Sequence, residues 1–79
     1  SAADIGDVIE SVANYAERHI ANGGRVSHVT RHMVGLFHGQ PGARRFRQIL
    51  SEEACRPGAG PDVLYRALDV VRKLDQAAE

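Results

Sequence analysis

The sequence predicts an all-α fold: a compact four-helix bundle in which neighbouring helices are antiparallel and joined by short connections. Apolar residues recur at i, i+3 and i+4 in four stretches, glycine and proline separate those stretches, and no stretch alternates like a half-buried strand. The chain has 79 residues, of which 43% are hydrophobic. That is enough for one hydrophobic core and too little for two, so residues 1–79 are expected to form a single domain.

The first helix is predicted over residues 4–21, because its apolar residues fall on one helical face. That face carries Ile5, Val8, Ile9, Val12, Tyr15, Ala16, His19 and Ile20. Asn22-Gly23-Gly24 is expected to end the helix, since glycine adopts the left-handed C-terminal conformation without a Cβ clash. Tyr15 is therefore expected to be buried.

The second helix is predicted to begin at Ser27, a favourable N-cap, and to end at Gly39. Its expected apolar stripe consists of Val29, Met33, Leu36 and Phe37. His32 lies at the edge of this stripe, so it is expected to be a hydrogen-bonded histidine of the core or of a contact between domains.

Proline marks the start of each of the last two predicted helices, where its missing N–H costs no hydrogen bond. The third helix is predicted from Pro41 and the fourth from Pro61 to Gln76, with a breaker segment over residues 56–61 between them. The third is expected to bury Phe46, Ile49, Leu50 and Ala54. The fourth is expected to bury Val63, Leu64, Ala67, Leu68, Val71 and Leu74.

Basic residues are concentrated in the middle of the chain, although the net charge is zero. Residues 25–56 carry six arginines and two acidic residues, whereas acidic residues outnumber basic ones in residues 1–24 and 57–79. Nine of the ten basic residues are arginine, whose planar guanidinium binds phosphate through two hydrogen bonds at once. One face of the domain is thus able to meet phosphate while the whole molecule stays neutral.

The arginines of the second and third helices are the main candidates for a binding site, because they lie opposite the predicted core face or, for Arg45, on its flank. The main candidates are Arg31, Arg44, Arg45 and Arg47. Weaker candidates in the same segment are Arg25, Arg56, His28 and His38. An ordinary solvated surface is the competing interpretation, in which single arginines pair with Glu52 or Glu53.

Other chemistry is poorly supported by the sequence. The single cysteine, Cys55, excludes an internal disulfide and a cysteine-based zinc module, and no base is positioned to make it a nucleophile. His28 and His32 have an i, i+4 spacing that suits a metal, but the remaining ligands are missing, so no metal site is predicted. No apolar run approaches the roughly 20 residues of a membrane span, and a disulfide-free chain suits the cytoplasm.

The stretch from Thr30 to Ser51, Thr-Arg-His-Met-Val-Gly-Leu-Phe-His-Gly-Gln-Pro-Gly-Ala-Arg-Arg-Phe-Arg-Gln-Ile-Leu-Ser, is a long and specific motif. It resembles the C-terminal helical domain of bacterial tRNA-dihydrouridine synthases, most closely the A-type subgroup. The flanking Gly23-Gly24 and Gly58-Ala59-Gly60 agree with that resemblance.

The resemblance implies a longer parent enzyme, with an N-terminal TIM barrel that binds FMN and is recharged by NADPH. The barrel would reduce uridines of the tRNA D-loop (20/20a), while the helical domain would bind and orient the tRNA in the cytoplasm. The resemblance assigns tRNA and the barrel as partners. It implies no FMN and no synthase activity for these 79 residues alone.

Two other functions remain as alternatives. A helical bundle that only stabilises the barrel or binds protein, without touching RNA, is the closer one. A DNA-binding helix-turn-helix is the other, and it predicts a preference for duplex DNA over tRNA. An enzyme in its own right has no nucleophile, base and orienting group to support it.

Overall fold

Four helices make up most of the part of the chain described by the structure, a computed structural model that covers the backbone of residues 2–78 and the side chains of residues 5–77. The helices are α1 (Ala2–Ala21), α2 (Val26–Thr30), α3 (Ala43–Glu53) and α4 (Asp62–Ala78). Helix α4 packs against both α3 and α1, and α2 packs against α1. No strand occurs within residues 2–78, so the predicted all-α bundle is confirmed.

The predicted end of α1 is confirmed. Gly23 has a φ of 89°, in the left-handed region, and the backbone N–H of Gly24 donates to the carbonyl oxygen of His19 at 3.0 Å. A Cβ on Gly24 would collide with the imidazole ring of His19, so this position also needs a residue without a side chain. The two glycines turn the chain from α1 directly into α2.

The second helix is much shorter than predicted, because only Val26–Thr30 is α-helical. Ser27 is not its N-cap; Arg25 occupies that position and forms no side-chain cap. After Thr30 the chain continues as successive turns, with N–H groups bonded three residues back, such as Met33 to Thr30 at 2.9 Å and Leu36 to Met33 at 3.0 Å. Residues of low helix propensity, including a glycine and several β-branched and histidine side chains, explain why a regular α-helix is not sustained.

Met33 and Phe37 are buried in these turns, as they would be in the predicted helix, but the residues next to them differ in burial from the prediction. Leu36 is 44% exposed, so its predicted place in the core is wrong. His32 is exposed as well, and the prediction of a core histidine fails for the same reason. With i→i+3 bonding, three residues complete a turn instead of 3.6, and the side chains rotate away from their α-helical directions.

The core contains apolar side chains from all four helices and from the turns between α2 and α3. Its buried members are Ile9, Val12, Ala16, Val26, Val29, Met33, Phe37, Ala43, Phe46, Ile49, Leu50, Ala54, Val63, Leu64, Ala67, Leu68 and Val71. At its centre the rings of Phe37 and Phe46 meet edge to face, with centroids 4.9 Å apart. The predicted burial of the third helix is confirmed.

Three apolar side chains of α1 and α4 are more exposed than predicted. Tyr15 is 50% exposed and stacks on His19, with ring centroids 6.2 Å apart, and Val8 and Leu74 are also exposed. The exposed fractions of Val8 and Leu74 are 37% and 43%. No helix within residues 2–78 is long and apolar enough to cross a membrane.

Helix α3 begins two residues later than predicted, because Pro41 lies in a turn and Gly42 is the N-cap. Gly42 has a φ of 89°, and a Cβ added there would lie 3.1 Å from Leu74 Cδ1 and 3.3 Å from the Cα of Val71. The turn before α3 is therefore packed directly on α4. This contact fixes where α3 starts and how its outer face is presented.

Gly42→Ala is expected to lower the free energy of unfolding by about 1–3 kcal/mol, because it combines a left-handed conformation with a close approach to the α4 backbone. Urea unfolding followed by circular dichroism measures the change. Gly39 has a φ of 83° but open space around it, so Gly39→Ala measures the cost of the left-handed conformation without a steric contact. Gly35→Ala, with neither constraint, is expected to be close to neutral. Equal stability of the Gly42→Ala and Gly39→Ala variants would contradict the packing explanation.

Candidate nucleic-acid interface

All eight basic residues singled out from the sequence are exposed in the structure. They are Arg25, His28, Arg31, His38, Arg44, Arg45, Arg47 and Arg56. None of them takes part in the ion pairs found between described side chains, which involve Arg66 and Lys73 instead. The predicted pairing of a site arginine with Glu53 is therefore not seen, because Arg66 occupies that carboxylate.

A first groove brings Arg25 and Arg56 to the same place, although they are far apart in the sequence. It has a volume of about 390 Å³ and lies between the turn before α2 and the segment after α3. Gly24, Gly58 and Gly60 contribute backbone without side chains to its lining. Such a wall lets a ligand approach the backbone closely, between two guanidinium groups.

A second groove, of about 400 Å³, adjoins the first. It is lined by Arg31 and Thr30 from one side and by Ser51 and Leu50 of α3 from the other. Ser27 and Cys55 line both grooves, so the two are continuous along one edge of the bundle. This edge therefore offers arginine side chains and hydroxyl groups in one continuous depression.

Helix α3 extends this edge. Arg44, Arg47 and Ser51 follow each other at spacings of three and four residues, which places them on one helical face. Ser51 lines the second groove, so the arginines one and two turns before it continue the same surface. We call Arg25, Arg31, Arg44, Arg47 and Arg56 the basic edge.

Arg45 and His38 lie apart from the basic edge. Arg45 points about 100° away from Arg44 around α3, and its Nη1 donates to Gln48 Oε1 at 2.9 Å. His38 is exposed in the turns before α3 and lines neither groove. Helical geometry already predicted Arg45 on the flank of the third helix, and His38 was a weaker candidate on the second.

Two carboxylates, those of Glu53 and Asp62, line a depression next to Arg56, and both are paired with Arg66. Arg66 Nη2 lies 2.6 Å from Glu53 Oε1 and 3.7 Å from Asp62 Oδ2. The hydrogen bond from Arg66 lowers the pKa of Glu53. Burial opposes this effect, and the positive charges of Arg66, Arg56 and Arg45 lower the pKa further. Arg56 thus lies between the first groove and a carboxylate that already has a partner.

Glu53 is expected to give the domain a pH-dependent stability. Because its pKa in the folded state is below its ordinary value of 4.5, the Arg66 bond stabilises the fold above that pH and is lost as the pH falls through the lowered pKa. The difference in unfolding free energy between the natural chain and Glu53→Gln should therefore be largest near neutral pH and shrink under acid. Urea unfolding at several pH values measures it. Glu52→Gln removes the same charge without this bond, and an identical profile for both variants would contradict the prediction.

Several residues of the grooves were not identified as functional from the sequence. Ser51 had a detectable signal, because it follows Arg47 by four residues on a helix. Ser27 was interpreted only as a helix cap, and Cys55 as a bystander thiol. His28 and His32 are both exposed, and within the described residues no three histidine, cysteine or acidic side chains converge as metal ligands would.

Tyr65 has a defined structural role. Its hydroxyl donates to Glu17 Oε1 at 2.7 Å, which ties α4 to α1. This bond with Glu17 raises the pKa of the phenol, and partial burial adds to the effect.

The fold and the site define a small helical domain with a basic edge, and comparison with known proteins supplies its relatives. The chain is 56% identical over 55 residues to the tRNA-dihydrouridine(20/20a) synthase of Xanthomonas axonopodis, a match that covers 70% of this chain and 16% of that enzyme. It is 51% identical over 65 residues to the enzyme of the same name from Shewanella oneidensis, covering 82% and 19% of the two chains. It is 43% identical over 67 residues to the enzyme of the same name from Vibrio parahaemolyticus, and this match covers 85% of this chain and 21% of that enzyme.

These matches confirm the resemblance predicted from residues 30–51: over most of its length, the chain is similar to a part of tRNA-dihydrouridine(20/20a) synthases. The matches span only about a fifth of the length of those enzymes. No protein-family model matches the chain. No solved structure matches it either.

Proposed function

We propose that the chain is the tRNA-binding helical domain of an FMN-dependent tRNA-dihydrouridine synthase that acts in the cytoplasm. The observation that carries this proposal is the 43–56% identity to enzymes named for that activity, over 70–85% of the chain. In this proposal the domain binds tRNA and orients it, and a D-loop uridine (20/20a) reaches the catalytic barrel of the parent enzyme.

The exposed arginines support a role in RNA binding. They present guanidinium groups to solvent, and phosphate is the ligand that such groups bind best in an RNA. We assign contacts with phosphate and ribose to Arg25, Arg31, Arg44, Arg45, Arg47, Arg56 and His38. A folded tRNA is recognised largely through its shape and backbone, which suits a site built from arginines and hydroxyls with few exposed aromatics.

FMN and NADPH belong to the rest of the parent enzyme in this proposal. The two grooves are lined by arginine, serine and glycine together with proline and aliphatic side chains, and we assign neither of them to the flavin. The residues of this chain therefore supply affinity and orientation, while the hydride chemistry takes place elsewhere.

A chimeric enzyme tests the proposal. In the Xanthomonas axonopodis relative, this chain would replace the segment that it matches, and dihydrouridine in tRNA would be measured by mass spectrometry. We expect the chimera to retain activity that a truncated enzyme lacks. A chimera that folds, as shown by circular dichroism, but is no better than the truncated enzyme would overturn the proposal.

A protein-facing role is a second candidate, favoured by the exposure of Val34 and Leu36 on the turns after α2. In that case the chain would stabilise the barrel without touching RNA. The two roles are distinguished in the chimera by kinetics. Arg44→Ala with Arg47→Ala would raise KM for tRNA if the domain binds RNA. The same changes would leave KM unchanged if it only braces the barrel.

A further inference from the structure

Three features place a ligand site at the junction of the two grooves. Arg25 and Arg56 flank the first groove, Arg31 lines the second, and Ser27 and Cys55 belong to both. The sequence ranked Arg25 and Arg56 below the arginines of α3. The fold adds what the sequence did not show, because it brings these two arginines into the lining of one groove.

We propose that the two grooves form one trough that holds the sugar-phosphate backbone of a single-stranded or loop segment of tRNA. This inference rests on the proposed function and deepens it. It locates the RNA on the edge between α2 and the segment after α3, and it gives Arg25, Arg31 and Arg56 the phosphates. Ser27 and Ser51 supply hydroxyl groups beside them, within reach of a ribose or phosphate oxygen.

The shape of the trough favours an extended strand over a duplex. The trough is a concave depression between a five-residue helix and a glycine-rich turn, whereas an A-form duplex presents a broad convex surface. Gly58 has open space where a side chain would stand, so the backbone of the protein does not obstruct a strand there. Single strands bind in positively charged grooves of this kind.

The charges around the trough favour the same ligand. Glu53 and Asp62 line a neighbouring depression together with Arg56, and both carboxylates are paired with Arg66. Arg56 is therefore not the bonded partner of either carboxylate. No acidic residue is among the described residues that line either groove, and most of the other acidic residues lie on α1 and α4.

Alkylation of Cys55 reports directly on whether RNA occupies the trough, because Cys55 is the only cysteine, is exposed and lines both grooves. The experiment measures the rate at which iodoacetamide alkylates Cys55 in the 79-residue chain, with and without an unmodified tRNA transcript. At a tRNA concentration of about ten times Kd, the rate should fall about tenfold, because only the free fraction reacts. Fluorescence anisotropy of the labelled tRNA gives the Kd in the same buffer.

Two matched controls accompany the measurement. Cys55→Ser with Glu10→Cys moves the thiol to the exposed face of α1, and tRNA should leave its alkylation rate unchanged. Arg25→Ala with Arg56→Ala should weaken tRNA binding about 25-fold at 0.1 M salt, from a counterion contribution of roughly 0.7 per phosphate. Arg18→Ala with Arg72→Ala removes the same charge from α1 and α4 and should change Kd less than about twofold.

The outcomes separate the trough from the proposed function. Protection of Cys55, with the expected loss in the Arg25/Arg56 variant, supports the trough. Binding of tRNA with an unchanged Cys55 rate overturns the trough and leaves the RNA-binding role intact. Absence of tRNA binding even at low salt overturns both.

Discussion

Phe46→Ala is expected to destabilise the domain by about 3–5 kcal/mol, the cost of deleting a fully buried phenyl ring and leaving a cavity. Phe46 is 0% exposed and meets Phe37 edge to face at 4.9 Å, so both the buried area and the aromatic contact are lost. A domain of 79 residues has a total stability of about 4–12 kcal/mol. The variant should therefore be partly unfolded at room temperature or close to it.

Urea unfolding followed by far-UV circular dichroism measures this effect. Phe46→Leu is the matched control, because it keeps an apolar side chain in the site and should cost much less. Tyr15→Leu provides a second comparison at an aromatic residue that is half-exposed, and it should be nearly neutral. Equal stability of Phe46→Ala and Tyr15→Leu would show that Phe46 is not at the centre of the core.

Arg44→Ala with Arg47→Ala is expected to weaken tRNA binding about 25- to 60-fold at 0.1 M salt. The estimate assigns one phosphate to each arginine, with a contribution of roughly 0.7–0.9 to the slope of log K against log salt. The slope should therefore become shallower by about 1.4–1.8. Both side chains are exposed on α3, so the fold should be unaffected.

Fluorescence anisotropy with an unmodified tRNA transcript over a series of salt concentrations measures both quantities. Arg18→Ala with Arg72→Ala is the control, because it removes two arginines outside residues 25–56. Equal losses in the two double variants would mean that only overall charge matters, which contradicts a defined interface on α3.

Much of the fold was predictable because local patterns determine it. Gly23 and Gly24 ended α1 as expected, and the spacing of Phe46, Ile49 and Leu50 identified the buried face of α3. These features depend on backbone conformation and helical periodicity, which are properties of adjacent residues.

The segment between α2 and α3 was not predictable in the same way. Met33 and Phe37 are four residues apart, which is the spacing of an α-helix, and both are indeed buried. Successive i→i+3 turns bring the same two side chains inward while exposing Leu36. A hydrophobic pattern over one or two turns does not distinguish these two conformations.

The candidate site was predictable in composition but not in arrangement. The sequence identified the arginines by type and clustering, and all of them are exposed. It did not show that Arg25 and Arg56 flank one groove, because their proximity depends on how α2 and the segment after α3 pack. The position of Cys55 at the junction follows from the same packing.

The most direct measurement is the binding of unmodified tRNA to the 79-residue chain across a salt series, in competition with duplex DNA. Five phosphate contacts, one for each arginine of the basic edge, predict that log Kobs falls linearly with log salt, with a slope of about −3.5 to −4.5. We also expect tRNA to outcompete the DNA. Absence of binding at the lowest salt concentration, or a preference for the DNA duplex, would contradict the account of this chain as a tRNA-binding domain.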